Sequence, residues 1–170
     1  MTPLTTGTLA LAVLTLLALP ATPADLRTAL ALGLGWAACL PLLVACVYGA
    51  RAAPSGTGYG LHRDLAWACV VLSALHAALF LPEPGFVRYL LPGAPSWQWA
   101  GLLALPVLIL LSASAHRPLR RRAFPGGAGF RAAHLVWTAL ALVLVAWHVI
   151  GSAFVLHSPA LVITFLLVLL

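Results

Sequence analysis

The chain has 170 residues, 63% of them hydrophobic and 7% charged, with a net charge of +6. A soluble domain carries about 25% charged residues, so this chain cannot cover a water-facing surface of its size, and its long apolar runs are expected to face lipid. Nucleic-acid binding is also disfavoured: the positive charge is all arginine and lies in short gaps between apolar runs, as membrane topology requires.

Six apolar segments follow one another. The first, about Leu4 to Leu19, ends at Pro20 and is slightly short of the ~20 residues that cross hydrocarbon. Thr22-Pro23-Ala24 resembles a signal cleavage site, but nothing basic precedes the run, so a retained helix is expected. The second runs from about Thr28 to Ala50, and the third from His62 to Leu81, closed by Pro82. The fourth spans about Trp97 to Ala115 and the fifth about Ala132 to Phe154. These four are long enough to span a bilayer. The last starts near Pro159 and reads as a half-helix, or as the start of a longer segment. No Gly-x-x-x-Gly contact motif stands out, and no repeat at a solenoid period. Cys39, Cys46 and Cys69 lie inside apolar segments and read as small packing residues, although Cys39 and Cys46 share a helix face. The expected fold is all-α: one polytopic transmembrane bundle over residues 1–170, about six helices, the first and last short.

Arginine placement orients the bundle. Arg51 and Arg63 lie in the gap between the second and third segments, and Arg117, Arg120, Arg121, Arg122 and Arg131 in the gap between the fourth and fifth. The opposite gaps hold only Arg27 and Arg88, each near an acid, Asp25 and Glu83. The positive-inside rule puts loops 51–61 and 116–131 in the cytoplasm. The third and fifth helices then run in the same direction.

Ionisable residues inside spanning helices are costly and usually functional. The third helix carries His62 and His76, and the fifth His134 and His148, fourteen residues apart in each case. Fourteen residues at 100° each fall 40° short of four turns, so each pair shares a face, about 21 Å apart along the axis. On parallel helices His62 stands level with His134 near the cytoplasmic side, and His76 level with His148 near the outer side. Two imidazoles facing each other at one depth can supply both axial ligands of a haem iron. Two such levels predict two b-type haems. Arg63 and Arg131 sit beside the inner histidines and suit haem propionates. Gly151, three residues after His148, leaves room for a flat ring; Ser73 is placed to receive a ring N–H of His76; Trp67, Phe80, Trp137 and Trp147 can pack on porphyrin or lipid. His116 and His157 read as an interfacial and a loop histidine. The plainer alternative for any intramembrane histidine is a helix-to-helix hydrogen bond.

The stretches His62-Arg63-Asp64 through His76 and Arg131-Ala132-Ala133-His134 through Trp147-His148, with the basic run Arg120-Arg121-Arg122, resemble the ferric reductase-like transmembrane family over about residues 31–155. That family includes ferric reductases, the membrane part of NADPH oxidases and the haem-binding membrane subunit of the methionine sulfoxide reductase system. The resemblance implies a six-helix bundle carrying electrons from a cytosolic flavin through two haems to an acceptor on the other side, with His62, His76, His134 and His148 as ligands. No Gly-x-Gly-x-x-Gly dinucleotide fingerprint or soluble flavin or nucleotide domain is present in the sequence. A separate flavin reductase, free reduced flavin or a quinol is therefore the expected donor, and ferric chelates, oxygen or a periplasmic oxidoreductase the candidate acceptors. The expected setting is a bacterial cytoplasmic membrane. The rival reading is a non-redox transporter using the histidines for metal ions or protons. Hard and borderline cations usually recruit carboxylates, and the only acids, Asp25, Asp64 and Glu83, lie near segment ends.

Overall fold

A computed structural model describes residues 26–51, 56–80, 91–125 and 128–152. Among these residues there are five helices and no strand: α1 (Leu26–Arg51), α2 (Gly56–Phe80), α3 (Ser96–Ser114), α4 (Arg117–Ala123) and α5 (Ala128–Gly151). Four are long and apolar enough to cross a bilayer, over Leu26–Val47, Tyr59–Phe80, Ser96–Ser114 and Gly129–Gly151. They correspond to the second to fifth apolar segments. The expected first and last segments lie outside the described residues, among which the count is five helices, four of them the expected membrane-length segments. The extra element is α4, which forms where the sequence suggested a continuous basic loop.

The chain divides into two compact units, one holding α1 and α2, the other α3, α4 and α5. In the first unit α1 and α2 pair as an antiparallel hairpin. The α1 side of their seam is Ala31, Gly35, Ala38, Leu42, Ala45 and Gly49, alternating steps of four and three residues. Ala31, Ala38, Leu42 and Ala45 are buried, and the two glycines lie against histidines of α2. A four-three alternation is the heptad seam of helices that wind around each other at 3.5 residues per turn. The residues are small, which lets the backbones approach closely where lipid offers no hydrophobic drive. Cys69 and Val70 are the buried residues of α2. At the far end, Arg27 Nε donates to Leu79 O at 2.6 Å. Leu79 lies in the last turn of α2, whose carbonyls lack helical donors, and a guanidinium supplies one.

The second unit repeats the plan. Its entry is a tight turn in which Ala94 N donates to Leu91 O at 3.1 Å. Pro92 and Gly93 are the central pair, and Gly93 has φ +106°, the left-handed geometry that the second central position of a type II turn demands. The α3 seam is Trp97, Gly101, Ala104, Leu108, Leu111 and Ala115, the same alternation. Ala104, Leu108 and Ala115 are buried, and Gly101 lies against His148. On α5 the buried residue is Ala141, seven residues from each histidine, as Cys69 is on α2. After α3 the chain turns through His116 into α4, with Pro118 in its first turn. Arg120 lies over the Phe130 ring, 5.3 Å from its centre, and Phe124 meets Phe130 edge-on at 5.7 Å.

Outward faces are strongly apolar. Leu135, Val136, Val143 and Trp147 on α5, and Leu103 and Leu110 on α3, are more than half exposed. A contiguous apolar face of that kind suits lipid rather than water.

The closeness of α3 and α5 is testable at Gly151, where an added Cβ would overlap Cβ of Trp97. Gly151→Ala is expected to cost about 1–3 kcal/mol of stability through overpacking. At Gly60 nothing lies within 4 Å of an added Cβ. Gly60→Ala is expected to be neutral or to gain up to about 1 kcal/mol from helix propensity. Unfolding in mild detergent, followed by helical circular dichroism, measures both.

Candidate functional site: braced histidines

The four histidines fall two in each unit. In the first, His62 Nδ1 lies 2.9 Å from Ala45 O, and His76 Nδ1 lies 2.7 Å from Ala31 O. In the second, His148 Nδ1 lies 3.0 Å from Trp97 O. Each bond crosses from the histidine-bearing helix to its partner. A backbone carbonyl can only accept, so in each ring Nδ1 carries the proton and donates. A neutral imidazole has one N–H, which places the lone pair on Nε2. Metal-ligating histidines share this pattern: one nitrogen donates to a carbonyl or carboxylate, and the other is thereby fixed as the ligating atom.

The acceptors are already helix acceptors, and a local rule makes them reachable. A helical side chain tilts towards the N-terminus and covers the turn preceding its own Cα. The carbonyl of residue i is thus shielded by the side chain at i+4. Four residues after Ala31, Ala45 and Trp97 stand Gly35, Gly49 and Gly101. An added Cβ on Gly35 would sit 2.8 Å from His76 Nδ1, on Gly49 3.2 Å from His62 Cε1, and on Gly101 2.5 Å from His148 Nδ1. The glycines are the space the imidazoles occupy.

The register repeats. His62 with Ala45 and His76 with Ala31 give the same residue sum (62 + 45 = 76 + 31 = 107), as an antiparallel pair with a constant seam requires. The histidines, the accepting alanines and the glycines of the first unit are each fourteen residues apart. At 3.5 residues per turn, fourteen residues close four whole turns. The 40° shortfall of a straight helix is absorbed by the seam.

His134 is surrounded differently. Its Nδ1 is buried, its ring lies 5.3 Å from that of Phe130, and its carbonyl accepts from Thr138 Oγ1 at 2.7 Å. Through Phe130 it adjoins Arg120 of α4. Aromatic neighbours recur at the other levels: Phe80 meets His76 edge-on at 5.2 Å, and Trp97 lies 5.8 Å from His148.

Two sequence expectations, at Gly151 and at Ser73, need correction; the other residues are placed as follows. Gly151 does not keep space for a flat ring, because Trp97 fills it. His76 Nδ1 donates to the Ala31 carbonyl rather than to Ser73. Arg63 pairs with its neighbour Asp64, at 2.9 Å, with both side chains more than half exposed. Arg131 is exposed, as are Trp67, Trp137 and Trp147. Cys39 donates its thiol to Gly35 O within α1, and Cys39, Cys46 and Cys69 are all free thiols. Among the described residues no three His, Cys, Asp or Glu side chains gather around a common metal-ion position. Sequence reasoning found the histidines but missed their acceptors. The available signal was the Gly35–Gly49 spacing, which equals that of the histidines.

Comparison with protein-family models, with curated proteins and with solved structures found no match. The reading of the site therefore rests on the chain's own residues.

The Arg63–Asp64 pair is exposed and adjacent in sequence, so Asp64→Ala is expected to change stability by less than about 1 kcal/mol. Denaturation in detergent at low and high salt checks this, and a larger loss would assign the pair a structural role.

Proposed function

We propose that the chain is an integral membrane electron-transfer protein that holds two b-type haems. His62 and His134 would ligate the inner iron, and His76 and His148 the outer one. The observation that carries this reading is the Nδ1–carbonyl bond at His62, His76 and His148. Three imidazoles on apolar helices have the donor satisfied and Nε2 as the lone-pair nitrogen, the form in which an imidazole would hold a metal. The residues therefore fit the group. When bound, a haem supplies a one-electron carrier whose potential the protein tunes through ligands, hydrogen bonds and burial.

The chain's own part is to hold and insulate. The glycine cradles position the rings of His62, His76 and His148, and Phe80, Trp97 and Phe130 set an aromatic ring beside those of His76, His148 and His134. Arg63 and Arg131, both exposed, remain candidates for propionate contacts at the inner level. By the arginine asymmetry, loops 51–61 and 116–131 would lie on the cytoplasmic side, the expected setting being a bacterial cytoplasmic membrane. Electrons would enter there from a flavoprotein, reduced flavin or quinol and leave to an acceptor outside, as in the ferric reductase-like family. A transporter reading is less favoured, since Asp64, the one acid among the described residues, is exposed and paired.

Purified protein is expected to show a reduced-minus-oxidised b-type haem spectrum. Well-folded protein with no haem after expression with haem supplied would overturn the proposal. His76→Ala or His148→Ala is expected to remove about half of the haem, and His62→Ala or His134→Ala the other half, read as pyridine haemochrome per protein. Reporter fusions within 51–61 and 116–131 are expected to read cytoplasmic.

A further inference from the structure

Each unit is built on the same seam pattern, which makes the fourth histidine position comparable with the other three. In the second unit His148 meets Trp97 O (148 + 97 = 245). Continued along the seam by fourteen residues, the same register would set His134 opposite Leu111 (134 + 111 = 245), and the residue four beyond Leu111 is Ala115. Where the other positions have Gly35, Gly49 and Gly101, this one has a methyl group. By the same tilt that makes glycine necessary elsewhere, the Ala115 Cβ covers the Leu111 carbonyl. That oxygen already accepts two bonds, from Ala115 N at 3.3 Å and from Ser114 Oγ at 2.8 Å. The carbonyl is both covered and saturated.

We infer that Gly35, Gly49 and Gly101 are positioning residues that hand a backbone carbonyl to His76, His62 and His148, and that Ala115 with Ser114 withholds the equivalent carbonyl from His134. The four imidazoles are then non-equivalent by construction. Resting on the di-haem reading, the consequence is an unequal pair of levels. The outer level has two carbonyl-braced ligands, and the inner level has one braced ligand and one held by other contacts. An N–H donated to a carbonyl makes the imidazole a stronger donor to iron, which favours the ferric state and lowers the midpoint potential. The inner level should therefore be the more oxidising of the two and should release its group more readily.

The first test needs no cofactor. Full-length, haem-free protein with ¹⁵N-labelled histidine, in detergent or nanodiscs, is expected to show hydrogen-bonded Nδ1–H tautomers for His62, His76 and His148, and a different state for His134. Gly101→Ala and Gly35→Ala should abolish the signature of His148 and His76 respectively. Gly49→Ala should weaken that of His62 less, following the order of approach, 2.5, 2.8 and 3.2 Å. Gly60→Ala, with open space around the new methyl, should leave all of them unchanged. The double change Ser114→Ala with Ala115→Gly removes bulk and should bring His134 into line with the rest.

The second test uses haem-loaded protein. Wild type should titrate with two resolved midpoints. Gly35→Ala or Gly101→Ala should raise the lower midpoint and weaken retention of that haem about 10- to 100-fold. The Ser114/Ala115 double variant should lower the higher midpoint alone. Four equivalent tautomers in the haem-free wild type would overturn the inference, as would a double variant that leaves His134 unchanged. Absence of haem alongside the expected tautomers would remove the electron-transfer reading and leave the positioning role standing.

Discussion

Everything described here depends on one constraint: an imidazole N–H buried among apolar helices must find an acceptor. In hydrocarbon an unsatisfied polar group costs several kcal/mol. α2 and α5 carry no acidic side chain beside their deeper histidines, and lipid offers none. The available acceptors are main-chain carbonyls of a neighbouring helix, each already bonded along its own axis. A carbonyl oxygen has a second lone pair, and glycine four residues on exposes it. The close approach of α1 to α2, the small-residue seam and the fixed tautomer at His62 and His76 all follow from meeting that need.

Once the brace is seen, the labour divides between helices. α2 and α5 carry the imidazoles, while α1 and α3 supply the accepting carbonyls and the glycine space beside them. The helix-to-helix hydrogen bond, which at first sight competes with metal ligation as an account of a membrane histidine, is present at three positions. It occupies one nitrogen of a ring that has two. The structural bond therefore leaves the ligation proposed above open to the same side chain.

Much of this was legible in the sequence. The four membrane-length helices stood out because each is a long apolar run, and the paired histidines because ionisable residues are conspicuous there. Less legible was whatever depends on a partner helix. Gly151 looked like room for a planar ring because its own helix says nothing of Trp97, which arrives from α3. Ser73 looked like a hydrogen-bond partner because it is one turn away, while the actual acceptor, Ala31 O, is 45 residues distant and has no side-chain signature. The helix α4 was hidden in a run of arginines whose charge speaks of topology and whose propensity for helix is easily overlooked. The pairing of seams was recoverable in principle, since Gly35 and Gly49 echo the histidine spacing, but glycines in an apolar helix have many commoner explanations.

The seam also turns distance into a counted quantity. The two braced stations of α1 lie two heptad steps apart, with Ala38 and Leu42 marking the level between them, and Ala104 and Leu108 mark the corresponding level on α3. Adding or removing one residue would rotate everything beyond it by 100° and turn an imidazole away from its carbonyl. Only changes of seven, made together on both helices of a hairpin, keep every ring at its station. The separation of the two levels can thus vary only in increments of about 10.5 Å. A lineage of such chains could lengthen or shorten the interval in whole units but could not fine-tune it, so finer adjustment would have to come from the chemistry of each station.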